Sequence, residues 1–351
     1  MGATGGRLAA TSDQSTLNAF AGSSAEPVRT VLLQDGQRQT QGLPGPPRTV
    51  VFFPGDTQDV DAEAMQLAGN GEWAEMYNLP STLERLVAKH GASRGVACCA
   101  AELVDGTFAK YSNFCSKCDS ECNVESYDGE GCIATRLLVS LLDEVLAGDH
   151  DGGRGWDLDE LILVGFSRGA VVLNQLVTEL AAVSKDEDSE WLSVERLWSR
   201  VRVLHSVDGA NGDDSNWPAF PYEEDAPRIA RRWRRFAGAG GKRRAERLAW
   251  GVHATDYTSD HHEEMAGFAR AFADACSNML FVLRYAGSDL EAHFHCLDTY
   301  QVSLRGRQRR PSASLKFSAT LRVAQALQYC RPRSPSSAAN RGTADLHAKK
   351  K

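Results

Sequence analysis

LILVGFSRGAVVLNQLVTEL, residues Leu161–Leu180, decides how this chain folds. Leu161 to Val164 is an unbroken apolar run, the pattern of a strand buried on both faces. The run breaks at Gly165-Phe166-Ser167-Arg168-Gly169 and resumes as an amphipathic helix. A strand that turns straight into a helix leaves no room for a Cβ at the two positions flanking the apex, so glycine is needed at both. The same tightness strains the apex residue and presents its side chain outward. Ser167 occupies that apex.

The rest of the chain supplies a setting for such a turn. Thr49–Phe53, Gly95–Leu103, Val201–Val207, Leu248–Thr255 and Asn278–Tyr285 read as further strands. Leu83–His90, Ala134–Ala147 and a stretch near Met265–Ala275 read as helices between them. Strands alternating with helices predict a mostly parallel sheet covered on both faces. In that setting, strand, G-x-S-x-G and helix form the nucleophile elbow of an α/β-hydrolase fold, with chemistry gathered beyond the carboxyl ends of the strands.

Composition bounds the alternatives. The chain has 351 residues, 42% of them hydrophobic, enough for one large α/β domain with extensions. A net charge of −7 gives no general reason to expect nucleic-acid binding. Nine cysteines, an odd number with no secretory apolar segment before them, point to a reducing compartment. Residues 1–47 are rich in Gly, Ala, Ser, Thr and Gln and read as a disordered or targeting segment. The domain is expected over 48–330, with insertions around 112–131 and 222–247, and residues 331–351 as a disordered tail.

Acyl transfer needs a nucleophile, a base, an acid to orient the base, and donors for the oxyanion. Ser167 is the candidate nucleophile. The backbone N–H of Arg168 is one oxyanion donor, and the loop Phe53-Pro54-Gly55-Asp56, after an early strand, supplies the second through Gly55 or Asp56. His293 follows the last strand, where the base belongs, with His295 close by. His205 sits within a strand and reads as a core histidine; His261 and His262 open a helix and are expected to face solvent. Two aspartates compete for the acid. Asp260 follows the strand and turn Gly251–Ser259 and is preferred; Asp208 ends the preceding strand and is the alternative. Either residue could equally be a helix cap or turn former.

VVFFPGDTQDV, LVGFSRGAVVLNQLVTEL, VDGANGDDSNW and DLEAHFHCLD together resemble, in order, the signature blocks of a eukaryotic, largely mitochondrial family. It is the family typified by the human protein of chromosome two, open reading frame sixty-nine. The resemblance runs from about Arg48 to Tyr300. It implies an α/β-hydrolase-like fold, serine hydrolase or esterase activity and a mitochondrial setting, with a cytoplasmic one as the alternative. Gly55 and Asp56 match the family's PGD loop, Ser167 its elbow serine, Asp208 its DG turn and His293 its terminal His-Phe; Asp260 matches only across a one-residue gap. This chain departs in carrying Arg168 where Lys is usual, and in its Cys-rich insertion, its basic insertion and its C-terminal extension.

Two further clusters carry their own readings. Cys115, Cys118, Cys122 and Cys132 could supply four thiolates to a structural zinc, though their irregular spacing within a surface insertion, Ser112–Gly131, favours plain thiols. Cys98 and Cys99 read as core packing. The run from Arg228 to Arg247 is strongly basic. It could engage an anionic membrane or a phosphorylated substrate, with Trp233 and Phe236 as interfacial anchors, or simply be a solvated helical face.

The expectation drawn from all this is a serine hydrolase acting on an ester, thioester or amide of an acyl-containing small molecule or lipid. It needs no metal and no organic cofactor. The rivals are a non-catalytic interaction protein that keeps the fold as a scaffold, and a lipid-surface binding module.

Overall fold

A computed structural model of the chain describes residues 14–19, 28–34, 46–59, 62–67, 71–99, 111–119, 123–146, 155–183, 190–211, 217–239, 248–276 and 280–302. Eight strands form one sheet: β1 (Gln14–Ala19), β2 (Val28–Gln34), β3 (Arg48–Phe53), β4 (Arg94–Cys99), β5 (Glu160–Phe166), β6 (Val201–Val207), β7 (Ala249–Ala254) and β8 (Leu280–Arg284). Their order is β1-β2-β4-β3-β5-β6-β7-β8. From β4 across to β8 every pairing is parallel, while β1 and β2 pair antiparallel to each other and β2 pairs antiparallel to β4. The helices are α1 (Ala62–Met65), α2 (Ala74–Tyr77), α3 (Leu79–His90), α4 (Ile133–Leu146), α5 (Ala170–Ala182), α6 (Trp191–Trp198), α7 (Ala226–Ala239), α8 (His262–Ala275) and α9 (Leu290–Thr299). This is the α/β-hydrolase fold expected from the sequence.

Alternation along the strands divides the core in two, because successive side chains point to opposite faces. Val51 and Phe53 of β3 join Leu161 and Leu163 of β5 in packing against α4, α5, α6, α7 and α8. Val50, Phe52, Ile162 and Val164 face the other way, onto α3 and α9. Burial on both faces explains why β5 reads as a solid apolar run rather than an alternating one.

Three expectations change. The segment 1–47, read as disordered or targeting, contributes β1 and β2, which extend the sheet beyond β4. Pairing along an open sheet edge is a backbone property, so it leaves little periodic trace in the side chains. The insertion 112–131 does not lie loosely on the surface. Phe114 sets its ring 5.7 Å from that of Phe53, and the Tyr111 hydroxyl, just before the insertion, donates to Pro54 O at 2.7 Å. Phe114, Cys115, Val124 and Tyr127 are buried there. Finally, the prospective membrane anchors on α7 point inward: Trp233 is 0% exposed, between Trp198 and Trp250, and Phe236 packs on Trp191. The tail 331–351 and residues 240–247 lie outside the described residues.

The two elbow glycines have separate steric causes. A Cβ on Gly165 would lie 2.6 Å from Gly169 O, inside the turn itself. One on Gly169 would lie 1.9 Å from Phe53 O and 2.5 Å from Phe53 C, the backbone of the neighbouring strand. Neither obstacle is a side chain that can swing away. Gly169→Ala is therefore expected to cost more than about 3 kcal/mol, lowering the melting temperature by on the order of 10 °C or abolishing soluble expression. A thermal melt within 2–3 °C, roughly the shift from 1 kcal/mol, would show that β3 and the elbow can slide apart.

Candidate active site

Ser167 sits at the start of a short 3-10 turn, Ser167–Gly169, that runs directly into α5. Its φ is +50°, a left-handed conformation that non-glycine residues rarely adopt and that costs about 1–3 kcal/mol. The turn is held from both sides. Ala210 N donates to Ser167 O at 3.2 Å, and Gly55 packs so closely that a Cβ on it would lie 3.1 Å from the Ser167 Cβ.

His293 follows the last strand, as expected, and lies in the first turn of α9. Asp289 caps that helix, accepting from Ala292 N at 2.8 Å, which fixes the turn that carries the histidine. The imidazole is 4% exposed and clasped between two aromatic rings. Phe166, the residue before the serine, has its centroid 4.5 Å away, and Tyr257 is also at 4.5 Å. The imidazole is thus held beside the elbow. No hydrogen bond joins Ser167 to His293 among the described residues; such contacts are often long before substrate binds.

The acid beside His293 is Asp208. Its Oδ2 lies 2.7 Å from His293 Nδ1. The same carboxylate accepts from Thr255 N at 2.7 Å, Thr255 Oγ1 at 2.6 Å and Thr258 Oγ1 at 2.7 Å. Burial, with 0% of the residue exposed, would by itself raise its pKa. The hydrogen bond and charge of His293, followed by the Thr255 bonds, more than offset that and hold the carboxyl below its ordinary value. Asp208 also has a positive φ, +48°, at the turn leaving β6.

Asp260, the acid preferred from the sequence, is exposed on the 3-10 segment Asp256–His261. That segment still serves the pair, because its N-cap Thr255 and its Thr258 supply the hydroxyls on Asp208. Sequence reasoning missed both threonines. Their signal was only a Thr-x-x-Thr spacing after a strand, which many caps share. His261 and His262 do not face solvent as expected: His261 is 8% exposed, and His262 Nε2 lies 2.9 Å from Thr255 O. His295 is exposed on α9, 3.5 Å from the Tyr77 hydroxyl.

The loop after β3 is only partly arranged as expected. Gly55 N–H donates to Gln58 Oε1 at 3.0 Å, so that donor is already engaged. Gln58 is itself buried, bonded to Tyr77 O at 2.9 Å, and braces the loop from behind. Among the loop residues singled out, Asp56 remains the candidate for the second donor, alongside Arg168. Arg168 is 6% exposed and its side chain spans two elements, with Nε 3.2 Å from Asp56 Oδ2 and Nη1 2.7 Å from Asn123 Oδ1. It ties the loop after β3 and the 112–131 insertion to the elbow. A fork can hold two acceptors at once in this way, and an ammonium does so less rigidly.

Other singled-out residues fall elsewhere. Cys115, Cys118 and Cys132 are not in disulfides, and burial raises the Cys115 thiol well above its ordinary pKa. Among the described residues no three His, Cys, Asp or Glu side chains are grouped to hold a metal ion; Cys122 lies outside them. Cys98 is buried in the sheet, as expected. His205 is a core residue too, with Nδ1 3.1 Å from His253 Nε2, and its own Nε2 is buried without a partner among the described residues. A cleft of about 300 Å³ between α3 and α9, lined by Arg85, Lys89 and Asp298, includes none of the residues of the Ser167 site.

Residues 146–220 match the model of the C2orf69 family. The chain is 37% identical over 60 residues to a mitochondrial protein C2orf69 homolog of Mus musculus, covering 17% of this chain and 15% of that one. The mitochondrial protein C2orf69 of Homo sapiens is likewise 37% identical over 60 residues, covering 17% and 14%. The matched stretch is thus about a seventh of those relatives' length, and the family resemblance holds across β5, the elbow and β6. Among solved structures, the chain is similar to esterase Est22, with a TM-score of 0.42 and 9% identity, over 82% of this chain and 75% of that one. It is similar also to a dienelactone hydrolase from Anabaena variabilis, with a TM-score of 0.40 and 10% identity, over 82% and 94%.

Proposed function

We propose that this chain is a serine hydrolase that cleaves an ester, thioester or amide through a covalent acyl intermediate. The observation that carries the reading is the buried Asp208–His293 pair, 2.7 Å apart, set beside a serine held at positive φ. In this reading, Ser167 Oγ attacks the substrate carbonyl carbon as His293 Nε2 takes its proton. Asp208 accepts the Nδ1 proton, which fixes the tautomer and balances the imidazolium. The tetrahedral oxyanion is held by the N–H groups of Arg168 and Asp56. Collapse expels the alcohol, thiol or amine, which takes the proton from His293. Water then attacks the acyl-enzyme with the same histidine as base, freeing the acid and Ser167.

Acyl-containing small molecules or lipids are the substrate class that fits this chemistry. A mitochondrial setting is proposed from the names of the relatives. A fluorophosphonate probe reports directly on such a serine, because it phosphonylates only an activated hydroxyl. The wild-type chain is expected to label, and both Ser167→Ala and His293→Ala to remain unlabelled while still folded, the latter with a lower melting temperature because Asp208 loses a buried partner. A folded wild type that stays unlabelled, or labelling that survives in Ser167→Ala, would overturn the assignment in favour of a non-catalytic scaffold.

A further inference from the structure

The helix α7 carries a feature the hydrolase chemistry does not use. Its apolar residues Ile229, Ala230, Trp233 and Phe236 are all buried. At about 100° per residue, Arg228, Arg231, Arg232 and Arg235 fall within a single arc of about 100° on the opposite side. Arg228, Arg231 and Arg235 are exposed, and Arg232 is half-buried. The stripe spans about 10 Å at 1.5 Å per residue. Asp225 is the one carboxylate in an ion pair with these four arginines among the described residues, on Arg228 at 2.9 Å. Four guanidiniums so aligned, on a chain whose net charge is −7, make a local reversal of sign rather than part of a general basic character.

We propose that the arginine stripe of α7 docks this protein on an anionic lipid surface. Three observations favour a membrane over other acidic partners. The stripe lies along one exposed side of a helix whose other side is buried, so its guanidiniums face outward together, as a plane of phosphates requires. An exposed leucine, Leu192 at 74%, adjoins it through Trp191, whose ring lies 5.9 Å below the Arg235 guanidinium. Arginine forks also match lipid phosphates in pairs. Because Trp233 and Phe236 stay in the core, the attachment is electrostatic, without deep insertion, and salt should reverse it.

The test is flotation of the full chain with phosphatidylcholine vesicles, with and without 30% cardiolipin, at about 25 mM and 300 mM salt. Co-flotation is expected only with cardiolipin and at low salt. The variant R228Q/R231Q/R232Q/R235Q should melt like the wild type, since exposed ion pairs contribute little. It should lose more than ten-fold in partitioning, each charge contributing roughly five-fold. Equal binding to neutral vesicles would overturn the proposal. So would undiminished binding of the quadruple variant, or loss of binding in K242Q/R243Q/R244Q alone. Retention on polyglutamate or heparin without vesicle binding would also overturn it, in favour of an acidic macromolecule.

Discussion

Asp208→Asn is expected to lower turnover, or the rate of fluorophosphonate labelling, by about 10⁴-fold, while Asp260→Asn changes either by less than two-fold. The difference follows from which atoms each carboxylate meets. Oδ1 of Asp208 takes Thr255 N and Thr258 Oγ1, and Oδ2 takes Thr255 Oγ1 and His293 Nδ1. In the asparagine variant Oδ1 keeps its two donors, so the amide nitrogen replaces Oδ2 and points a proton at His293 Nδ1. The imidazole must then accept there and carry its own proton on Nε2, the tautomer that cannot take a proton from Ser167. Loss of the charge also removes what stabilises the imidazolium. The variant should remain folded, at a cost of about 1–3 kcal/mol for one mismatched buried bond. Asp260 is exposed and outside that network, so its substitution perturbs only the surface. If Asp260→Asn caused the larger loss, the assignment of the acid would fall.

Acid should destabilise this protein from about pH 6.5 downward, before its carboxylates begin to titrate. His90, His205 and His253 form one buried group behind the sheet's centre. His90 Nε2 lies 2.5 Å from the Tyr300 hydroxyl, its ring is 5.2 Å from that of His205, and His253 Nδ1 lies 3.1 Å from the Tyr285 hydroxyl. Burial, then the nearby charges of Lys89, Arg202 and Arg48, lower His90 to about 3. Burial, then Lys89 and His90, lower His253 to about 3, and burial above all lowers His205 well below its ordinary value.

Each folded-state pKa lies below the unfolded value of 6.5, so between the two the unfolded chain binds more protons. Stability is therefore full above pH 6.5 and falls as pH drops toward about 3. Three excluded protons give a slope of roughly 4 kcal/mol per pH unit. Glu179, buried and raised mainly by desolvation, opposes this with a single proton, while Asp208, lowered overall, adds to the loss at the acid end. Against a stability of about 5–15 kcal/mol, the midpoint should fall between roughly pH 3 and pH 5. Urea titrations at pH 7.5 and 5.5 read this directly. Equal unfolding free energies at the two values would mean that the histidines take up protons without unfolding the chain.

The placement of Ser167 needed only the sequence. The glycine spacing and apolar run around it are short-range requirements, and β5, the turn and α5 formed as that pattern dictates. His293 was found by chain order, although the helix that carries it was not among the helices read from the sequence. The burial of Trp233 and Phe236 was not legible. An amphipathic basic helix shows the same pattern whether its apolar face meets a membrane or a sheet.

What the sequence determined by itself was the alternation of strands β3 to β8 with helices and the tight turn that exposes one serine. These follow from periodicity and from sterics between near neighbours, which a linear pattern records. The tertiary structure alone decided that Asp208 rather than Asp260 lies within hydrogen-bond distance of His293, that Gln58 engages the Gly55 donor, and that Arg168 joins three elements. Asp208 and His293 stand 85 residues apart, and two aspartates after successive strands look alike in one dimension. Only the packing of α9 against the sheet determines which carboxylate is buried beside the imidazole, and burial is what lets one hydrogen bond fix the tautomer.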